Sequence, residues 1–245
     1  MAWRSTPAGN GWTWILEGWA LFRRDPLTWL LITVVFGLIF IGLHFVPIVG
    51  PLAAIVLTPV FTGGVMLGCR SLDDGGRLTF DHLFAGFRER VGALAGIGAI
   101  YLAAVIVIAL VVGLTTGARL FDVLSGEVDP AAAAGAAAAV LLALLVMTAL
   151  LVPVFMAMWF APCLVLFRGR GPAAAMGESF FACVANTVPF LLYGLILLGL
   201  AIVASIPAGL GWLVLGPVTA ASIYIGYKDI FGQSGEQAPP APQPR

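Results

Sequence analysis

Long apolar runs, separated by short charged clusters, dominate the chain. Residues 27–69, 91–118, 131–167 and 187–227 hold no Asp, Glu, Lys or Arg. Each stretch can cross a bilayer at least once, which takes about 20 helical residues. Breakers divide them further: Pro47, Gly50 and Pro51 split the first, and Pro207, Gly209 and Gly211 split the last. The predicted spans are 27–46, 52–69, 91–114, a long one within 136–167, 188–206 and 208–227. Residues 115–130 read as a polar loop, and the Pro-rich stretch 232–245 reads as a disordered tail. The expected fold is an all-α membrane protein of about six transmembrane helices in a single domain, 1–231.

A short amphipathic segment precedes each predicted pair of spans. Phe80, Leu83, Phe84 and Phe87 recur at i, i+3, i+4 and i+7, one face of a helix, with Asp81, His82, Arg88 and Glu89 off that face. Trp12, Ile15, Leu16, Trp19 and Phe22 make a similar stripe, ended by Arg23-Arg24-Asp25-Pro26. After Pro172, a usual helix start, Met176, Phe180, Cys183, Val184 and Thr187 follow at helical spacing. Such segments lie in the membrane interface or extend the span that follows; Pro26 and Pro189 favour the interface. The pattern of amphipathic helix, span, span thus occurs three times, at about 12–70, 79–168 and 173–230. Leu57-Thr58-Pro59-Val60, Leu151-Val152-Pro153-Val154 and Leu215-Gly216-Pro217-Val218 share the pattern Leu-x-Pro-Val, each in the second span of its pair. Units that cross the membrane twice share one orientation, so the repeats would be parallel.

Charge orients this scheme. Eleven Lys and Arg residues fall on one side and Arg119 alone on the other, which makes the first side cytoplasmic, with both termini there. The interfacial anchors would be Trp19, Arg23, Arg24, Phe84, Phe87, Arg88, Arg90 and Lys228. The composition agrees: 61% hydrophobic and 10% charged, against about 25% charged in soluble domains. Zero net charge leaves no electrostatic footprint for nucleic acid. The first apolar run is too long for a cleavable signal peptide.

Candidate chemistry is sparse. The chain has no phosphate-binding glycine loop, no H-E-x-x-H, no nucleophile elbow and no C-x-x-C. Cys69, Cys163 and Cys183 lack metal-ligand spacing, and no catalytic residue, metal or cofactor is expected. Asp73-Asp74 could hold a cation, but Asp73-Asp74-Gly75-Gly76 is first a turn composition. His82 beside Asp81 could be a base, although a solvated helix face is the simpler reading. No ionisable residue falls near mid-membrane, which disfavours ion-coupled pumps. Thr58, Thr62, Thr219 and Ser222, near the bends at Pro59, Pro153 and Pro217, could line a central cavity; packing by Val60, Phe61, Val154, Phe155 and Val218 would fill it instead. Gly64/Gly68, Gly92/Gly96 and Gly113/Gly117 suit close helix packing within the chain.

Gly11-x-x-Trp14-Ile15-x-x-Gly18, Leu21-Phe22-Arg23-Arg24-Asp25-Pro26, His82-Leu83-Phe84-Ala85-Gly86-Phe87, Trp159-Phe160-Ala161-Pro162, Glu178-Ser179-Phe180 and Tyr224-x-x-Tyr227-Lys228-Asp229-Ile230-Phe231 together resemble a family of uncharacterised six-span bacterial inner-membrane proteins. The layout is more distantly similar to the membrane domain attached to some glycerophosphodiester phosphodiesterases, without their catalytic barrel. The resemblance implies a bacterial inner-membrane location and no particular activity. The leading expectation is a non-enzymatic component that meets the bilayer and binds lipid or another membrane protein. The alternatives are a transporter of a small or hydrophobic molecule, and an interfacial lipid-modifying enzyme using Asp73, Asp74, Asp81 or His82.

Overall fold

The computed structural model describes residues 3–125 and 130–232, and among these every regular element is helical. The helices are α1 (Asn10–Phe22), α2 (Pro26–His44), α3 (Val49–Asp73), α4 (His82–Glu89), α5 (Val91–Ser125), α6 (Pro130–Trp159), α7 (Ala161–Arg168), α8 (Pro172–Ala185), α9 (Thr187–Ser205) and α10 (Trp212–Phe231). Five segments are long and apolar enough to cross a membrane: Pro26–His44, Val49–Asp73, Val91–Leu114, Ala137–Arg168 and Thr187–Ser205. Their outward faces carry exposed Leu31, Leu38, Ile41, Leu195, Leu198 and Ile202. Lipid suits such a surface and water does not.

Local chemistry sets the breaks. Asp25 caps α2 by accepting from the Thr28 amide at 3.2 Å, with Pro26 in the first turn. Gly75, at φ 82°, supplies the left-handed residue after α3, so Asp73-Asp74-Gly75-Gly76 is the turn its composition suggested. Helical geometry stops at Arg90 (φ −132°, ψ 47°) and resumes at Val91, so α4 is separate from α5.

Three sequence expectations need correcting. The predicted loop at 115–130 is mostly helix, because α5 runs on to Ser125 and α6 starts at Pro130. Charged residues stop a membrane run without stopping a helix. Of that loop's acidic residues, Glu127 and Asp129 lie outside the described residues, as does the tail from 233. The long span within 136–167 breaks at Phe160 (φ −103°), where Pro162 enters the first turn of α7. The last predicted span, 208–227, begins only at Trp212, after a turn with positive φ at Ala208 and Gly209, and α10 is less apolar than the five spans.

The short helices pack on second spans: α4 on α3, α8 on α6 and α1 on α10. Glycine makes two of these approaches close. A β-carbon on Gly86 would overlap the Val60 carbonyl and stand 3.1 Å from the Gly64 amide. One on Gly18 would stand 2.8 Å from the Ser222 amide and 2.9 Å from the Val218 carbonyl. The stripe expected on α1 divides between two faces. Its buried face is Gly11, Trp14, Ile15, Gly18, Leu21 and Phe22, while Trp12, Leu16 and Trp19 stay exposed. Small residues let backbones approach, so Gly11 and Gly18 face protein with Trp14 and Phe22 packed beside them, while Trp12, Leu16 and Trp19 are left to lipid.

Candidate functional site

The charged end of the bundle is a set of cross-links. Asp229, just beyond Tyr227, pairs with Arg4 and accepts from Asn10 Nδ2 at 2.6 Å and Trp14 Nε1 at 2.9 Å. Burial opposes its ionisation, but the hydrogen bonds from Trp14, Asn10 and Arg4 outweigh that and hold its carboxyl below the ordinary 3.8. Asn186 is fully buried; its Oδ1 accepts from the Thr6 amide at 2.8 Å and its Nδ2 donates to the Arg4 carbonyl at 3.1 Å. The N-terminal segment is thereby stitched to the α8–α9 turn and the end of α10. Lys228 pairs with Asp73, which also accepts from Tyr224 at 3.1 Å. Arg24 donates to the Leu72 carbonyl at 2.5 Å and Arg90 to the Val165 carbonyl at 2.9 Å. Three of the expected interfacial anchors, Arg24, Arg90 and Lys228, thus tie the bundle together while staying exposed. Phe84 and Phe87, half-buried, stack edge-on against Phe61 at 6.0 and 5.0 Å. Trp19, Arg23 and Arg88 are exposed as well, with the Arg23 guanidinium 5.9 Å from the Trp19 ring.

The acidic and imidazole candidates turn to different partners. His82 Nδ1 accepts from the Thr79 amide at 3.0 Å, Asp73 engages Lys228 and Tyr224, and Asp74 pairs with Arg70 at 3.6 Å. Among the described residues, no three His, Cys, Asp or Glu side chains gather as metal ligands.

The proline-bend residues are dispersed. Pro59 and Pro217 are buried, but Pro153 is exposed, against the expectation that all three bends face neighbouring helices. Thr58 and Thr219 donate back to their own helices, to the Ala54 and Leu215 carbonyls, at 2.7 and 2.8 Å. Ser222 shares a 2.7 Å hydrogen bond with Tyr193 of α9. Val60, Met66, Leu94, Ile97 and Phe160 are fully buried, so the interior is filled by side chains. Thr62 and Pro217 do meet at one cavity, which lies between helices at the side.

That cavity, about 170 Å³, lies between α2, α3 and α10 and is lined by Trp29, Ile32, Phe36, Thr62, Gly216 and Pro217, among others. A larger one, about 320 Å³, opens between α6 and α9, whose backbones scarcely approach each other. Its walls are Val152, Phe155 and Met156 on one side and Leu191, Gly194 and Leu197 on the other. Trp159 bridges its end, edge-on to Phe190 and Tyr193 at 6.1 Å each. Such volumes reach the lower end of the range for ligand pockets, about 300–1,000 Å³, in the larger case alone. By contrast α3 and α5 pack tightly: a β-carbon on Gly98 would lie 2.5 Å from the Val56 carbonyl oxygen.

The structural roles of two residues escaped the sequence reading. Ser179 splices the α6–α7 break: its hydroxyl accepts from the Phe160 amide at 2.9 Å and donates to the Met156 carbonyl at 2.7 Å. Asn186 carries the N-terminal segment. For Asn186 the available signal was position, since it is a hydrogen-bonding residue beside the break expected at Pro189; Ser179 lies nineteen residues along the chain from the break it serves and left no local signal.

The chain is similar to a probable inner membrane protein of Burkholderia thailandensis, 28% identical over 260 residues that cover 96% of each sequence. No protein-family model matches the chain, and no solved structure matches it significantly. The likeness joins the five apolar helices in supporting a multi-pass inner-membrane location. It does not extend to the glycerophosphodiester phosphodiesterase membrane domain.

Proposed function

We propose that the chain is a six-span inner-membrane protein of three parallel hairpin repeats, with both termini in the cytoplasm. In this reading it performs no chemistry of its own and holds a lipid hydrocarbon chain in the groove between α6 and α9. The observation that carries the lipid reading is that groove: an opening of about 320 Å³ with apolar and aromatic walls between two spans that fail to close. Burying a hydrocarbon chain there is favoured by dispersion contacts with the groove walls, which a gap would forfeit.

Packing supports the repeat. The step that takes Pro59 to Pro217 also takes Val60 to Val218 and Gly64 to Ser222. Those are the residues on which Gly86 and Gly18 rest. Each short helix sits on the second span of the unit before it, with α1 closing back onto α10. The sixth span would be the charge-free part of α10, residues 212–227, with Lys228 and Asp229 beyond it at the membrane boundary. Asp73, Asp74 and His82 are each committed to a separate tie, so the lipid-modifying reading has no gathered set of groups behind it. The filled interior does the same for a transport path.

The test is photolabelling in nanodiscs of phosphatidylethanolamine and phosphatidylglycerol, using phosphatidylglycerol with a diazirine in its acyl chain. Adducts are expected in peptides covering 152–159 and 187–197, and Gly194→Trp, which fills open space, should abolish them. Labelling spread evenly over all outward helix faces, or unchanged in the variant, would refute the groove.

A further inference from the structure

The two cavities correspond. One constant step along the chain takes Trp29, Ile32, Thr33 and Phe36 of α2 to Phe190, Tyr193, Gly194 and Leu197 of α9. The step that takes Pro217 to Pro153 takes Gly216 and Ala220 of α10 to Val152 and Met156 of α6. Both cavities therefore occupy the same kind of seam, between the second span of one repeat and the first span of the next. The α10–α2 seam differs in one chemical respect. Trp29 is 1% exposed, and its indole Nε1 is buried without a hydrogen-bond partner. An unpaired buried donor costs about 1–3 kcal/mol, so an acceptor at that place would be held firmly.

Position on the helix indicates which acceptor. Trp29 stands three residues after Pro26, in the first turn of α2, so its ring is near the level where the charged end meets the hydrocarbon. Immediately before the helix come Arg23 and Arg24; neither pairs with a carboxylate among the described residues, and Arg23 is exposed beside Trp19. Going inward from the surface, the order is cation, indole N–H and apolar cavity. A glycerophospholipid presents phosphate, ester carbonyl and acyl chain in the same order.

We propose that the α10–α2 seam is a second lipid site, selective for ester-linked phospholipid. The acyl chain lies against Ile32, Phe36 and Gly216, the ester carbonyl accepts from Trp29 Nε1–H, and Arg23 faces the phosphate. This rests on the lipid-binding reading above, but on a separate seam.

The same nanodiscs test it, with the diazirine phosphatidylglycerol made in ester-linked and ether-linked forms. Ether lipids keep chain and phosphate but lack the carbonyl. Adducts are expected in peptides covering 29–36 and 216–220, about fivefold stronger for the ester, the ratio that one hydrogen bond of about 1 kcal/mol supplies. Trp29→Phe should equalise the two lipids there and leave the adducts at 152–159 and 187–197 unchanged. Equal labelling by ester and ether lipid in the unaltered protein overturns the carbonyl contact and assigns the indole to water. Label in the α6–α9 peptides with none at 29–36 or 216–220 overturns this site alone, whereas label in neither seam overturns both readings. Because the ester-to-ether comparison is made on the unaltered protein, it decides the matter even if Trp29→Phe fails to fold.

Discussion

Alanine at Gly98 and at Gly194 should shift stability in opposite directions, although both glycines sit mid-helix in first spans that follow a short helix. At Gly98 the added β-carbon would stand 2.5 Å from the Val56 carbonyl oxygen, 2.6 Å from its α-carbon and 2.9 Å from its carbonyl carbon. All three are backbone atoms, which cannot rotate away. Restoring an ordinary contact of 3.4 Å requires α5 to move off α3 by about 0.9 Å. Overpacking of this kind costs about 1–3 kcal/mol. At Gly194 nothing lies within 4 Å, so alanine brings only the relief of a helical glycine, about 0.5–1 kcal/mol. The same relief at Gly98 offsets part of its clash, leaving the two variants about 1–3 kcal/mol apart. For a chain of this length that is a separation of roughly 2–12 °C in melting temperature. Thermal unfolding of both variants in one detergent, followed by tryptophan fluorescence, measures it. Equal shifts, or a more stable Gly98→Ala, would show that the α3–α5 and α6–α9 seams do not differ as described.

Ser179→Ala strands the Phe160 amide and leaves the Met156 carbonyl only the Cys183 thiol at 3.6 Å, and should cost about 1–3 kcal/mol; a melting temperature no lower than that of Thr148→Val, whose hydroxyl serves only its own helix, would contradict this. Asp229, with its pKa held below 3.8, contributes stability that is present above that value and lost as pH falls through the lower, folded value. Acidification below pH 3.8 should therefore raise hydrogen exchange at residues 4–10, and Asp229→Asn should raise it already at pH 7. An exchange rate there independent of both changes would mean that the pairing does not hold the segment. The native thiols Cys69, Cys163 and Cys183 are buried and should resist maleimide until the protein is denatured. Against that quiet background, a cysteine at Ser125 should react with an impermeant reagent in intact cells and one at Gly9 should not; the reverse pattern would invert the orientation.

Five of the spans could be read from the sequence because absence of charge over 20 residues has few meanings. The ends of helices were less legible. Thr115–Ser125 looked like a loop because hydropathy falls there, yet falling hydropathy marks the membrane boundary and leaves helical hydrogen bonding intact. The break at Phe160 was hidden for the opposite reason. Its surroundings stay apolar, and the donor and acceptor it frees are met by Ser179, nineteen residues away. The apolar stripe on α1 did not say which of its members meet protein. Hydrophobic periodicity selects the bulkiest stripe, which in water is the buried one. In lipid the outside is also apolar, so Trp12, Leu16 and Trp19 face out and Gly11 and Gly18 face in. The DDGG turn was legible because its residues carry local backbone preferences, while the tie from Asp73 to Lys228 spans 155 positions and left no local trace.

The unequal seams follow from which residues face each other across them. Between α3 and α5, Gly63 and Gly98 both present no side chain, and the backbones close until Val56 and Leu94 fill what remains. Between α6 and α9 the corresponding glycine, Gly194, faces Val152, Met156 and Trp159, and bulk on one wall is enough to hold the helices apart. Between α10 and α2, Gly216 comes within van der Waals reach of Thr33, its β-carbon position lying 3.8 Å from Thr33 Cγ2, while Trp29 and Phe36 keep the flanks open. A groove therefore forms where large side chains flank the small residue, and a tight contact forms where the small residue rests on backbone, as Gly98 does on Val56. The width of each opening is set by side chains that line it, so Met156 and Trp159 on one seam and Trp29 and Phe36 on the other are the residues that would determine the thickness of chain each can take.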